Sequence, residues 1–142
     1  MRKSIIVILL IVIFSSVSCS KKTIYLTPEV TGYIYDSNSK EPLGNKKGYI
    51  SFSLPTEKTP KQSLKSSGKF VIYPLKKEYY IFKPDISSYK DVPLQIYIYI
   101  EGYEGEILDY SKFFWRQVPK EKIGFDSYNK VEVGKVYLDP EK

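Results

Sequence analysis

The chain contains no histidine, one cysteine, one tryptophan and one methionine. Without histidine the commonest general base at neutral pH is missing. A single cysteine can form neither an intrachain disulfide nor a thiolate metal cage, so most hydrolase and zinc chemistry is excluded. A transmembrane helix needs about 20 apolar residues. The longest apolar run here, Ile5 to Phe14, has 10. What is abundant is tyrosine, 14 residues, with 7 phenylalanines in a chain of 142. Aromatic residues favour pleated, half-buried surfaces, so an all-β protein is expected. With 42% hydrophobic and 27% charged residues, the composition is that of a globular protein, and the length suits one domain.

Arg2 and Lys3, the apolar run to Phe14, and the small residues Ser15, Ser16 and Ser18 ahead of Cys19 have the order of a secretory signal. Ser16-Val17-Ser18-Cys19 resembles the lipobox of bacterial lipoproteins, in which the cysteine becomes the diacylated first residue. The resemblance implies that residues 1–18 are a signal peptide and that Cys19 is lipidated, with palmitate-type chains as the anchor. Cleavage leaves 124 residues and, without Arg2 and Lys3, lowers the side-chain charge from +6 to +4. Residues 19–28 then read as a lipidated N-terminus and tether, and 29–142 as the folded domain. Ser20, in place of aspartate, after the lipidated cysteine points by the enterobacterial sorting rule to the outer membrane, facing the periplasm.

Along the domain, the period-two pattern of half-buried strands recurs. Val30, Gly32 and Ile34 alternate with Thr31, Tyr33 and Tyr35; Ile50, Phe52 and Leu54 with Tyr49, Ser51 and Ser53; Leu94, Ile96, Ile98 and Ile100 with Gln95, Tyr97 and Tyr99. Further strands are expected at Lys69 to Tyr73 and Glu78 to Lys83. Ile107 to Val118 is consistent with a strand, a short helical turn or a core-plugging loop, and no helix is predicted outright. Val131 and Val133 are out of phase with Val136 and Leu138, which predicts a β-bulge at Gly134.

About seven short strands at this spacing indicate a single antiparallel β-sandwich of immunoglobulin-like kind. Gly32-x-Ile34-x-Asp36 with Glu41-Pro42-Leu43-Gly44, then Ser66-Ser67-Gly68-Lys69-Phe70, Glu101-Gly102-Tyr103 and Val136-x-Leu138-x-Pro140, resembles the carboxypeptidase regulatory-like, or transthyretin-like, domain. That resemblance implies the sandwich fold and a scaffolding or binding habit, and it carries no catalytic residues.

Two clusters invite chemistry. Glu101, Glu104, Glu106 and Asp109 lie too locally for glycosidase geometry and lack the wrap of a calcium loop, so a solvated acidic turn is expected. Asp36 and Asn38 resemble the start of a calcium loop, but Glu41 stands where glycine would be needed, which leaves turn capping. No metal, cofactor or catalytic group is expected. From Lys40 to Lys77 nine lysines face two glutamates, a local charge of +7; on an exported protein such a patch suits anionic lipid, peptidoglycan carboxylates or an acidic protein better than nucleic acid.

Tyr33, Tyr35, Tyr49, Tyr97 and Tyr99, opposite the aliphatic faces, are the candidate binding rings, and Lys58, Lys61 and Lys65 of the basic loop the candidate binding charges. Trp115 is expected in the core. The expected function is a membrane-anchored, non-enzymatic binding or assembly lipoprotein of the bacterial envelope, held to the bilayer through acylated Cys19 and contacting an unknown envelope protein. The alternative is a periplasmic inhibitor or immunity lipoprotein that neutralises a toxin or hydrolase.

Overall fold

A computed structural model describes residues 20–90 and 92–142. The segment expected to be a signal peptide and Cys19 lie outside the described residues. The elements are β1 (Lys22–Tyr25), β2 (Glu29–Asp36), β3 (Lys47–Ser51), β4 (Gln62–Ser63), β5 (Lys69–Ile72), β6 (Lys76–Tyr79), β7 (Gln95–Ile100), β8 (Glu106–Asp109), α1 (Ser111–Gln117) and β9 (Lys130–Leu138). Single 3-10 turns occur at Ser87–Tyr89 and Lys120–Lys122.

The fold is an all-β sandwich. One sheet has the order β5-β2-β9 and the other β4-β3-β7-β8. Their inward rows meet in a single core, where Ile34, Phe70 and Val133 from the first sheet join Ile50, Ile96, Ile98 and Ile100 from the second. The alternation in the sequence maps directly onto these two sides, because successive strand residues point to opposite faces. Burying each aliphatic side chain contributes about 1.5–3 kcal/mol, so the inward rows hold the sheets together.

The bulge expected at Gly134 is present. Thr31 pairs with Glu132 and Tyr33 with Lys135, so Gly32 alone faces two residues of β9. Gly134 takes the positive φ of 74° that the bulge requires. Gly32 lies on the core side, where an added Cβ would come within 2.9 Å of Val133 and Phe70. The missing side chain is the space into which that ring packs.

Several expectations are corrected. The strands number nine among the described residues rather than about seven, because β1 and β4 are too short to show a period. The sandwich is not purely antiparallel, since β2 and β9 run parallel, which the long excursion from residue 37 to 129 permits. The segment assigned to the tether contains β1, paired with β6 in a two-stranded sheet, and its Ile24 is fully buried. The strand expected at Glu78 to Lys83 begins two residues earlier: β6 ends at Tyr79 opposite Lys22, and Tyr80, Ile81 and Phe82 beyond it remain exposed. Leu54 is exposed too, because β3 stops at Ser51.

The ambiguous stretch from Ile107 resolves into the end of β8 followed by α1. Tyr110, Phe114 and Val118 are all buried, the i, i+4, i+8 spacing of one helix face. The Asp109 carboxylate accepts the Ser111 N–H at 2.7 Å, and this bond holds its pKa below the usual carboxylate range. Pro119 follows directly after the C-cap, where it cannot continue the helix. Gln117 then acts as a one-residue strand: its side-chain amide donates to Glu132 O at 2.7 Å and accepts from Glu132 N at 2.8 Å, closing part of the open edge of β9.

Candidate binding surfaces

The outward tyrosines do not form one platform. Tyr33 and Tyr35 lie on the outer face of β5-β2-β9, whereas Tyr49, Tyr97 and Tyr99 lie on the outer face of β4-β3-β7-β8, so the sandwich separates the two groups. All five are half-buried, and their neighbours explain it. Tyr35 stacks at a tilt on Tyr137 with centroids 5.7 Å apart. Lys135 lies 4.7 Å from the Tyr35 ring, Lys40 4.9 Å from that of Tyr137, and Lys69 5.9 Å from that of Tyr33. Such cation–π pairs are worth about 0.5–1 kcal/mol each at exposed sites. On the other sheet Tyr49 and Tyr99 are directly opposed, Tyr97 accepts a hydrogen bond from the Gln95 side chain at 2.6 Å, and Tyr99 lies against the backbone at Gly105.

Lys58, Lys61 and Lys65 are all exposed around β4. Lys61 is engaged within the chain: its Nζ sits 2.5 Å from Glu101 Oε1 and 5.9 Å from the Tyr49 ring. The hydrogen bond to Glu101, with the Coulomb attraction, pushes the Lys61 pKa up and that of Glu101 down. The acidic turn is thereby partly consumed in internal contacts. Asp36 is a turn cap: its Oδ1 accepts the N–H groups of Asn38 and Ser39 at 2.7 and 2.8 Å, and its Oδ2 the Tyr103 hydroxyl at 2.9 Å. These bonds, that from Ser39 foremost, lower its pKa.

A concave feature lies elsewhere, at the end of the sandwich where β1 turns into β2. An open cavity of about 280 Å³ is walled by Tyr25, Leu94, Phe114, Trp115, Ile123 and Phe125, with Lys90 at its polar side. Its walls are tied by backbone bonds, Tyr25 N to Phe125 O at 2.7 Å and Tyr110 N to Leu94 O at 2.8 Å. Asn129 fixes the connecting loop by donating from its side chain to Lys122 O at 2.9 Å. Trp115 is not in the core as expected but 60% exposed. Phe114 takes the inward position on α1, and the next residue, about 100° further round the helix, must point outward; the two rings pack edge to face at 5.1 Å. No local pattern announces this cavity, because its walls come from four separate parts of the chain.

Beside it, Glu29 is buried at the start of β2. Its carboxylate accepts the Tyr128 hydroxyl and lies 3.4 Å from Lys130 Nζ, and Tyr128 packs edge to face on Tyr25 at 5.1 Å. Among the described residues no three acidic or sulfur side chains converge on a common point.

No family model matches the chain, and no curated protein matches it. Among solved structures it is similar to a crystal structure of a 9R-lipoxygenase from Cyanothece PCC8801, at 16% identity over 78% of this chain and with a TM-score of 0.36. The chain spans 16% of the length of that lipoxygenase, and a likeness this slight carries nothing about activity to this protein.

Proposed function

We propose that the protein is a lipid-anchored, non-enzymatic binding module of the bacterial envelope, attached through acylated Cys19 and engaging a protein partner at the cavity beside Trp115. The anchor half rests on the order of Arg2-Lys3, the short apolar run and Cys19 ahead of β1. Support for a scaffolding habit comes from the turn residues shared with transthyretin-like domains. The observation that carries the binding half is an exposed tryptophan on the rim of an open, mostly apolar cavity. Tryptophan is the residue type most enriched where interface energy concentrates. At about 280 Å³ the cavity is at or below the small end of ligand pockets, which run from about 300 to 1,000 Å³. It suits one or two apolar side chains of a partner better than a cofactor.

A photo-crosslinking amino acid placed at Trp115 in living cells tests this. A discrete crosslinked species is expected there and none from the same residue at Tyr33, on the outer sheet face. Crosslinking from Tyr33 with none from position 115 would transfer the binding function to the tyrosine–lysine face.

A further inference from the structure

The antiparallel register of β1 and β6 sets Lys22 opposite Tyr79 and Tyr25 opposite Lys76. The chain therefore leaves β6 at the same end of the ladder from which it runs back to Cys19. Immediately past Tyr79 it bends over residues 80–82, and Lys83, bound to Asp126 Oδ1 at 2.9 Å, turns it back towards the domain. At the tip of this bend Tyr80 is 59%, Ile81 68% and Phe82 87% exposed. Three consecutive large apolar side chains this exposed, with no groove of the domain to receive them, are unfavourable in water.

We propose that Tyr80, Ile81 and Phe82 form a second, non-covalent membrane contact that inserts into the interfacial layer of the bilayer beside the lipidated terminus. This rests on the anchoring reading given above. Cys19 is three residue steps from Lys22, with Ser20 and Lys21 between them, a span of at most about 11 Å, and neighbouring antiparallel strands lie about 5 Å apart. An acylated Cys19 at the headgroup boundary therefore brings the bend within reach of an interfacial layer about 5–8 Å thick. The nearby charges are matched to such a position. Lys21 is held by Glu78 at 2.5 Å and Lys83 by Asp126, while the exposed Lys22, opposite Tyr79, adds a positive charge at the same end of the ladder. Apolar burial drives the contact on a neutral bilayer, and anionic lipid adds at most about 1 kcal/mol, the contribution of one lysine near the surface.

Fluorescence quenching by brominated lipid tests the proposal. The full gene carrying Trp115→Phe and Phe82→Trp is expressed, and the protein is purified from membranes, its terminus checked by mass, and reconstituted into phosphatidylcholine vesicles whose acyl chains are brominated near the headgroup. A matched protein carries Trp115→Phe and Tyr73→Trp, since Tyr73 is also largely exposed, at 72%, in the connection before β6 but at the far end of the ladder. Both replaced side chains are exposed, so the core is untouched. The residue at 82 is expected to lose most of its emission and the residue at 73 little, with the same result when anionic lipid is added. Equal quenching at the two positions in an acylated, vesicle-bound protein would overturn the membrane contact and leave the anchor standing. An unmodified Cys19 in the mass spectrum would instead overturn the anchor, and the contact with it.

Discussion

The Tyr128 hydroxyl and the Glu29 carboxylate show what a single buried polar residue demands of its surroundings. Glu29 has the parity of the outward tyrosines on β2, yet it is buried, so its charge must be met by the Tyr128 hydroxyl and Lys130. The hydrogen bond to Glu29, then burial, pushes the Tyr128 pKa up to about 12, against about 10 for an unfolded tyrosine. The folded state therefore keeps this proton after the unfolded state has lost it. The resulting stabilisation is fully present below pH 10 and is lost as pH rises through 12. In urea unfolding, the stability difference between wild type and Tyr128→Phe should be widest below pH 10 and shrink steadily above it; a difference unchanged across that window would disconnect the hydroxyl proton from stability. Gly134 carries a different constraint, since its positive φ, not crowding, excludes other residues: an added Cβ meets no atom within 4 Å. Gly134→Ala should cost about 1–2 kcal/mol through the left-handed backbone alone, and Gly134→Asn less. Denaturant midpoints of the two variants check this, and equal losses would point to a contact rather than to the backbone angle.

At the level of elements, what was legible in the sequence was the side to which each long strand turns. Leu94 to Ile100 alternates strictly, and β7 buries Ile96, Ile98 and Ile100 while Tyr97 and Tyr99 face outward, as their parity requires. Ile98→Asp should therefore abolish cooperative unfolding, because an unpaired carboxylate cannot be tolerated at a fully buried position, whereas Tyr97→Ala should cost about 1 kcal/mol. Circular dichroism melts separate the two, and comparable losses would mean that the outer face is covered. β1, β4 and α1 were not legible. β1 has one inward residue, Ile24, and β4 is two residues long, so neither can display a period. In α1 the spacing of Tyr110, Phe114 and Val118 was the available signal, masked by the run Phe113-Phe114-Trp115, which fits a strand equally well. That helix yields a paired prediction: Phe114→Ala should cost about 3 kcal/mol by opening a core cavity, while Trp115→Ala should cost well under 1 kcal/mol and act on partner binding instead. Similar melting losses for both would place the Trp115 ring in the fold rather than at an interface.

Across the whole molecule, the sequence shows which residues are outward but not which of them share a surface. The five tyrosines are divided between opposite sides of the sandwich because β2 joins β5 and β9 in one sheet whereas β3 and β7 pair in the other, long-range pairings that no local pattern encodes. The cavity was hidden for the same reason, its walls being assembled from residues between 25 and 129. The proposed N-terminal anchor is the converse case, read from consecutive letters and independent of the sandwich. Because β1 starts at Lys22 and packs Ile24 into the domain, the proposed tether shrinks to Cys19, Ser20 and Lys21, and a domain anchored through Cys19 would ride close to its membrane. This geometry separates anchoring from folding. Acyl chains contribute about 0.8 kcal/mol per buried CH₂, and a single chain already gives only marginal binding, so two or three give a stable anchor. The bend at Tyr80, Ile81 and Phe82 exposes three apolar side chains, each worth about 1.5–3 kcal/mol if fully buried and less at an interface; on its own it gives at most a transient contact. Cys19→Ser should accordingly leave the melting temperature of the domain unchanged while moving the protein from the membrane to the soluble fraction, or stranding it as the uncleaved precursor. Fractionation with a mass measurement of the terminus distinguishes these outcomes. A mutant with its signal removed that sediments as firmly as wild type would show that the fold itself, and not the lipid, holds the membrane.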